Sequence, residues 1–153
     1  MSSGAGSHER CAAALRGFGY TSRQADFLAH VALHGAHFLR RQYIAYTGSG
    51  HGLATVRFLQ RLSDREHVRQ LPFGRHGHVY HLCARSIYHA CGLERRRWGR
   101  EASWQRVIEA VTMLDFALAH PADAFLVTDE DKARALTEAG LERGAWPMMR
   151  GDN

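Results

Sequence analysis

The apolar residues of this chain change their spacing along its length, and the changes mark out its elements. Behind Thr21-Ser22-Arg23-Gln24, Phe27, Leu28, Val31 and Ala32 recur three and four residues apart. Thr21 as cap with Gln24 three residues on is a capping box, so a helix starts here, and His34-Gly35 ends it. Phe38–Tyr46 reads as a second, short helix with Leu39, Tyr43 and Ile44 on its apolar face. Thr47-Gly48-Ser49-Gly50-His51-Gly52 reads as a turn, because glycine is costly inside a helix. A third helix follows at about Leu53–Arg65, with Val56, Leu59 and Leu62 on one side and Arg57 and Arg61 on another. The period then shortens. His67–Phe73 and His78–Cys83 are strand-like runs joined by Gly74-Arg75-His76-Gly77, a plausible hairpin connection.

Beyond the hairpin, Ala84–Cys91 is helical and stops at Gly92, and Arg95-Arg96-Arg97-Trp98-Gly99-Arg100 forms a basic connector. Ser103 caps a longer helix to about His120, with Val107, Val111, Leu114 and Leu118 inside and Pro121 closing it. Ala124–Val127 reads as a strand, and Thr128-Asp129-Glu130-Asp131 starts a last helix that ends near Gly140. Residues 1–20, rich in Gly, Ser and Ala, read as a loose arm with at most a short helix over Glu9–Gly17. The expected organisation is a flexible arm at 1–20, a compact unit at 21–100 and an acidic helical extension at 101–153.

Composition narrows the class. A chain of 153 residues that is 45% hydrophobic is too apolar for disorder throughout. No apolar run approaches the roughly 18 residues a membrane helix needs. The opening Met1-Ser2-Ser3-Gly4-Ala5-Gly6 lacks a secretory signal, so the cytosol is expected. Cys11, Cys83 and Cys91 include no CxxC pair, and a disulfide framework is not expected. Charge is more informative. Residues 1–100 hold 15 Arg against five acids, a net of +10, whereas residues 101–153 hold five basic residues against ten acids, a net of −5. A basic unit joined to an acidic tail points to a polyanion partner for the basic part.

Three short helices followed by a hairpin is the plan of a winged helix-turn-helix: mainly α with a small β-hairpin, here followed by a helical C-terminal extension. Such a unit can place its third helix in the major groove of double-stranded DNA while the hairpin lies along the backbone. The third helix leaves Thr55, Arg57 and Arg61 for base edges or adjacent phosphates. Arg75 and His76 at the hairpin tip can reach phosphate or the minor groove, and Arg40 and Arg41 the flanking backbone. Arg95, Arg96 and Arg97 could add nonspecific attraction or pair with the acidic tail.

Residues 21–92 resemble the winged-helix domain of replication-relaxation-type proteins and related regulators of plasmids and integrative conjugative elements. The resemblance rests on Thr21-Ser22-Arg23-Gln24, Leu39-Arg40-Arg41-Gln42-Tyr43, Leu62-Ser63-Asp64-Arg65 and His78-Val79-Tyr80-His81-Leu82-Cys83, with Arg85-Ser86-Ile87-Tyr88-His89-Ala90-Cys91-Gly92 behind it. Phe125-Leu126-Val127-Thr128-Asp129-Glu130-Asp131-Lys132 resembles a segment that follows such domains. The resemblance implies a DNA-binding role in mobile-element replication, transfer or regulation, and the expected function is that of a transcriptional or mobile-element regulator.

Three other classes compete. His76, His78, His81 and Cys83, with His89 and Cys91 behind them, suggest a zinc-containing regulator. Alternation along a strand, however, would turn His76 and His78 away from His81 and Cys83, leaving wing-surface histidines and a buried Cys83, and no metal is expected. For an enzyme, Gly48-Ser49-Gly50-His51-Gly52 lacks the Lys-Ser/Thr of a phosphate loop. Asp123, Asp129, Glu130 and Asp131 read as helix-dipole partners, so no catalytic residue, cofactor or small-molecule ligand is expected. The third class is a protein-interaction module. Trp104, Val107, Ile108, Val111, Leu114, Phe116 and Leu118 give the 103–120 helix enough apolar surface for a homodimer seam.

Overall fold

The computed structural model describes residues 3–93 and 100–120. Along these residues run α1 (Ser3–Gly17), α2 (Ser22–Leu33), β1 (His37–Leu39), α3 (Arg40–Thr47) and α4 (Leu53–Asp64). The β2 strand (Val68–Pro72), a single 3-10 turn (Gly74–His76), β3 (His78–Leu82), α5 (Arg85–Ala90) and α6 (Trp104–Ala119) follow. The fold is mainly helical with a small antiparallel sheet in the order β1-β3-β2. The basic connector over 95–97, Pro121, the strand at 124–127, the helix toward Gly140 and the tail resemblance lie outside the described residues.

The α2 start follows the local chemistry. Thr21 Oγ1 accepts from the Gln24 N–H at 3.2 Å, and Gln24 Oε1 accepts from the Thr21 N–H at 3.0 Å. Phe27, Leu28, Val31 and Ala32 are buried. The hairpin also forms, with Val68 opposite Leu82 and Pro72 opposite His78.

The second helix is shorter than the apolar pattern predicts, because Phe38 and Leu39 belong to β1. They pair with Tyr80 and Val79 of β3, and the Phe38 and Tyr80 rings stack at 5.2 Å. Backbone pairing between Phe38 and Leu39 and the distant β3 strand overrides a local helical pattern that no neighbour supports. Gln42 then opens α3: its Oε1 accepts from the Leu39 N–H at 2.7 Å. Gly48, at φ 69°, closes it in the left-handed conformation.

Two expected boundaries dissolve. The expected loose arm is a helix from Ser3 onward: α1 runs to Gly17 and buries Cys11, Ala12 and Leu15 in the main core. Cys11 and Ala12, with Leu15 one turn on, supply a stripe on an Ala-rich helix short enough to be overlooked. Nor is α6 an appendage. Val107 and Val111 pack with Leu39 and Val79, Leu114 enters the main core, and Gln42 Nε2 donates to the Val111 carbonyl at 2.9 Å. Gly35 sets how closely α6 approaches. Its φ is +100°, and a β-carbon there would lie 2.6 Å from that of Ala110. Among the described residues no helix is long and apolar enough to cross a membrane.

Candidate nucleic-acid interface

The α4 helix is held from behind by aromatic rings. Phe58 stacks on Tyr43 of α3 at 4.3 Å and meets Tyr20 edge-on at 6.1 Å, while Leu59 and Leu62 complete the buried side. This seating decides which residues face outward. Positions 53, 57, 60, 61 and 64 share the opposite side at three- and four-residue spacing, and Leu53, Arg57, Gln60, Arg61 and Asp64 are all exposed.

Arg57 and Arg61 therefore stand where they were expected, on the open face, and neither is held in an ion pair among the described residues. Thr55 does not. It is fully buried, and its hydroxyl donates to the Gly50 carbonyl at 2.7 Å. Thr55 thus ties the glycine turn to the first turn of α4 and is withdrawn as a base contact. Val56, expected in the core, is exposed instead. The helix is rotated by about one position relative to the sequence pattern, because Phe58 and not Val56 docks against Tyr43.

The two arginines at the start of α3 behave differently from each other. Arg41 makes a two-pronged ion pair with Asp115 of α6, at 2.8 and 2.9 Å. Hydrogen bonding to Asp115 raises the Arg41 pKa, and hydrogen bonding to Arg41 lowers that of Asp115. Arg41 is therefore occupied as a clasp between α3 and α6, although an exposed pair of this kind contributes at most about 1 kcal/mol. Arg40 is half-buried, and its Nη2 donates to the His51 carbonyl at 3.3 Å. It braces the glycine turn from the α3 side. Arg75 is exposed in the hairpin connection; the side chain of His76 lies outside the described part.

Sequence reasoning missed several members of this surface. The helical phase that set Val56 with Leu59 and Leu62 hid Val56, whereas the stripe Phe58, Leu59 and Leu62 would have turned it outward; Leu53 and Gln60 are exposed on the same helix. Arg69 is exposed on β2. Arg65 is exposed too, but it donates to the Phe18 carbonyl at 2.6 Å and lies over the Tyr20 ring, so it serves the fold.

The histidines divide by burial. His78 and His89 are exposed, whereas His81 is buried and stacks on His37 with ring centroids 4.2 Å apart. His37 Nδ1–H donates to the Gly35 carbonyl at 2.8 Å, while its Nε2 is buried with no hydrogen-bond partner among the described residues. Burial pushes the His37 pKa down to about 4, against a smaller upward pull from the Gly35 carbonyl. Cys83 is half-buried and not fully enclosed as expected, and Cys91 is buried against Cys11 of α1. Among the described residues no three His, Cys, Asp or Glu side chains converge as a metal ion would require. Comparison of the chain with protein-family models, with curated proteins and with solved structures found no match in any of the three.

Proposed function

We propose that this chain is a winged helix-turn-helix protein that binds double-stranded DNA, as a transcriptional regulator or a regulator of mobile-element replication or transfer. The observation that carries the reading is the outward face of α4, where Arg57 and Arg61 are exposed and in no ion pair among the described residues, followed in the chain by a β2–β3 hairpin whose connection bears the exposed Arg75. The order α2, β1, α3, α4, β2, β3 and the sheet order β1-β3-β2 support it. In this arrangement α4 enters the major groove and the hairpin lies as a wing on the adjacent backbone. Arg57 and Arg61 supply base-edge or phosphate contacts, and Arg75 supplies a backbone contact. Arg40 positions the α3–α4 turn. Gly52 caps α4 without a side-chain hydrogen bond, which suits a phosphate at that end.

The test is a binding titration on duplex DNA across a salt series. Wild-type affinity should fall steeply with salt, and Arg57→Ala with Arg61→Ala should lower the log–log slope by about two. Folded protein that fails to retain genomic fragments at low salt refutes the reading.

One observation favours a second reading, in which α6 is a docking surface for another protein or for a second copy of the chain. Trp104, Ile108, Met113 and Phe116 are each about half exposed on α6, while Val107, Val111 and Leu114 face inward. A dimer joined there would suit a protein that reads two half-sites.

A further inference from the structure

The outward face of α4 combines two chemistries that a purely phosphate-binding helix does not need. Arg57 and Arg61 are cationic, yet the first two turns also present Leu53, 62% exposed, and Val56, 46% exposed. Gln60 follows one turn after Val56, and its Nε2 donates to Asp64 Oδ1 at 2.8 Å. That bond uses one of the two Nε2 hydrogens, and the residue is exposed, so Oε1 and the second N–H are left for a partner. Aliphatic carbon at the leading end of a helix rimmed by arginines calls for a partner with apolar groups recessed between anionic edges. The major groove of DNA has this character. Phosphates line its rims, thymine carries a 5-methyl group on its floor, and adenine offers paired N6 and N7 groups that match a carboxamide.

We propose that the first two turns of α4 read A·T pairs in the major groove, Leu53 and Val56 by contact with thymine 5-methyl groups and Gln60 by its carboxamide on adenine. The proposal rests on the DNA-binding reading and adds the base preference. Arg57 and Arg61 supply attraction that every sequence shares or that guanine strengthens, whereas the aliphatic pair discriminates. Removing the methyl groups from the DNA should therefore weaken binding without changing the charge of either partner. Deleting one buried thymine methyl group should reduce affinity roughly four-fold.

The experiment selects bound duplexes from a random-sequence pool with the full chain, then remakes the selected duplexes with deoxyuridine in place of thymidine. The expected result is enrichment of A·T-containing sites and several-fold weaker binding of the uracil form. Leu53→Ser with Val56→Ser should bind both forms alike; because both side chains face solvent, the variant should keep the wild-type melting temperature. Enriched duplexes that bind equally in the thymine and uracil forms would overturn the proposal and leave DNA binding intact. So would retention of DNA without enrichment, or a uracil effect that persists in the double variant. Failure to retain any duplex at low salt would overturn the proposal and the DNA-binding reading together.

Discussion

Thr55 and Arg57 stand two positions apart on α4 and point in opposite directions, and this separates their roles. Thr55 holds the Gly50 carbonyl from a fully buried position, so its loss removes a hydrogen bond and leaves a small void. Thr55→Ala should lower stability by about 1–2 kcal/mol in a denaturant melt, while the protein that remains folded binds DNA as before. Arg57→Ala should do the reverse: an unchanged melt and weaker binding. Equal effects of both substitutions on binding would place Thr55 back at the interface. Gln42 is the other residue whose role a sequence does not announce. Its single carboxamide serves Leu39, Val111 and Asp115, and so joins β1, α3 and α6.

Among the elements, β1 is the junction between the two cores. Phe38 joins the main core, Leu39 meets α6, and His37 stacks on His81 of β3. Burial of His37 makes stability depend on pH. The unfolded His37 titrates near its ordinary 6.5, while the folded residue, held neutral by burial, titrates near 4. Below pH 6.5 the unfolded chain therefore binds protons more readily than the folded one. Stability should be constant above that value and decline as pH falls toward 4. For His37 alone the loss amounts to about 3 kcal/mol. Burial also lowers His30, to about 3, and His34, to about 4, and both act in the same direction. Denaturant melts at pH 7, 5.5 and 4.5 would show the decline, and His37→Gln should make it shallower. A wild-type stability that stays flat over this range would contradict the buried, neutral state of His37.

For the molecule as a whole, the question is what meets the outer side of α6. Its inner side closes the fold through Val107, Val111 and Leu114, so a charge at Leu114, which is fully buried, would report on folding. Ile108 is the informative position because it lies outside the core. If α6 mediates self-association, sedimentation of the wild-type protein at tens of micromolar should show a dimer, and Ile108→Glu should give a monomer with an unchanged melting temperature. A wild-type monomer would remove the self-association reading and leave the DNA reading as it stands.

The spacing of apolar residues was enough to locate α2, α4, the β2–β3 hairpin, α5 and α6, because their signals are local: a capping box, glycine stops, a change of period and a serine cap. The same spacing placed Arg57 and Arg61 outward, since both lie off the apolar side of the helix that carries Leu59 and Leu62. The sequence alone gave the wrong answer for β1, for the helical phase of α4 and for the occupation of Arg41. Each depends on a partner distant in the chain: β3 for Phe38 and Leu39, Tyr43 for Phe58, and Asp115 for Arg41. Tertiary packing chose among locally comparable alternatives. It turned Thr55 inward and Val56 outward, and with them fixed what α4 presents to a partner.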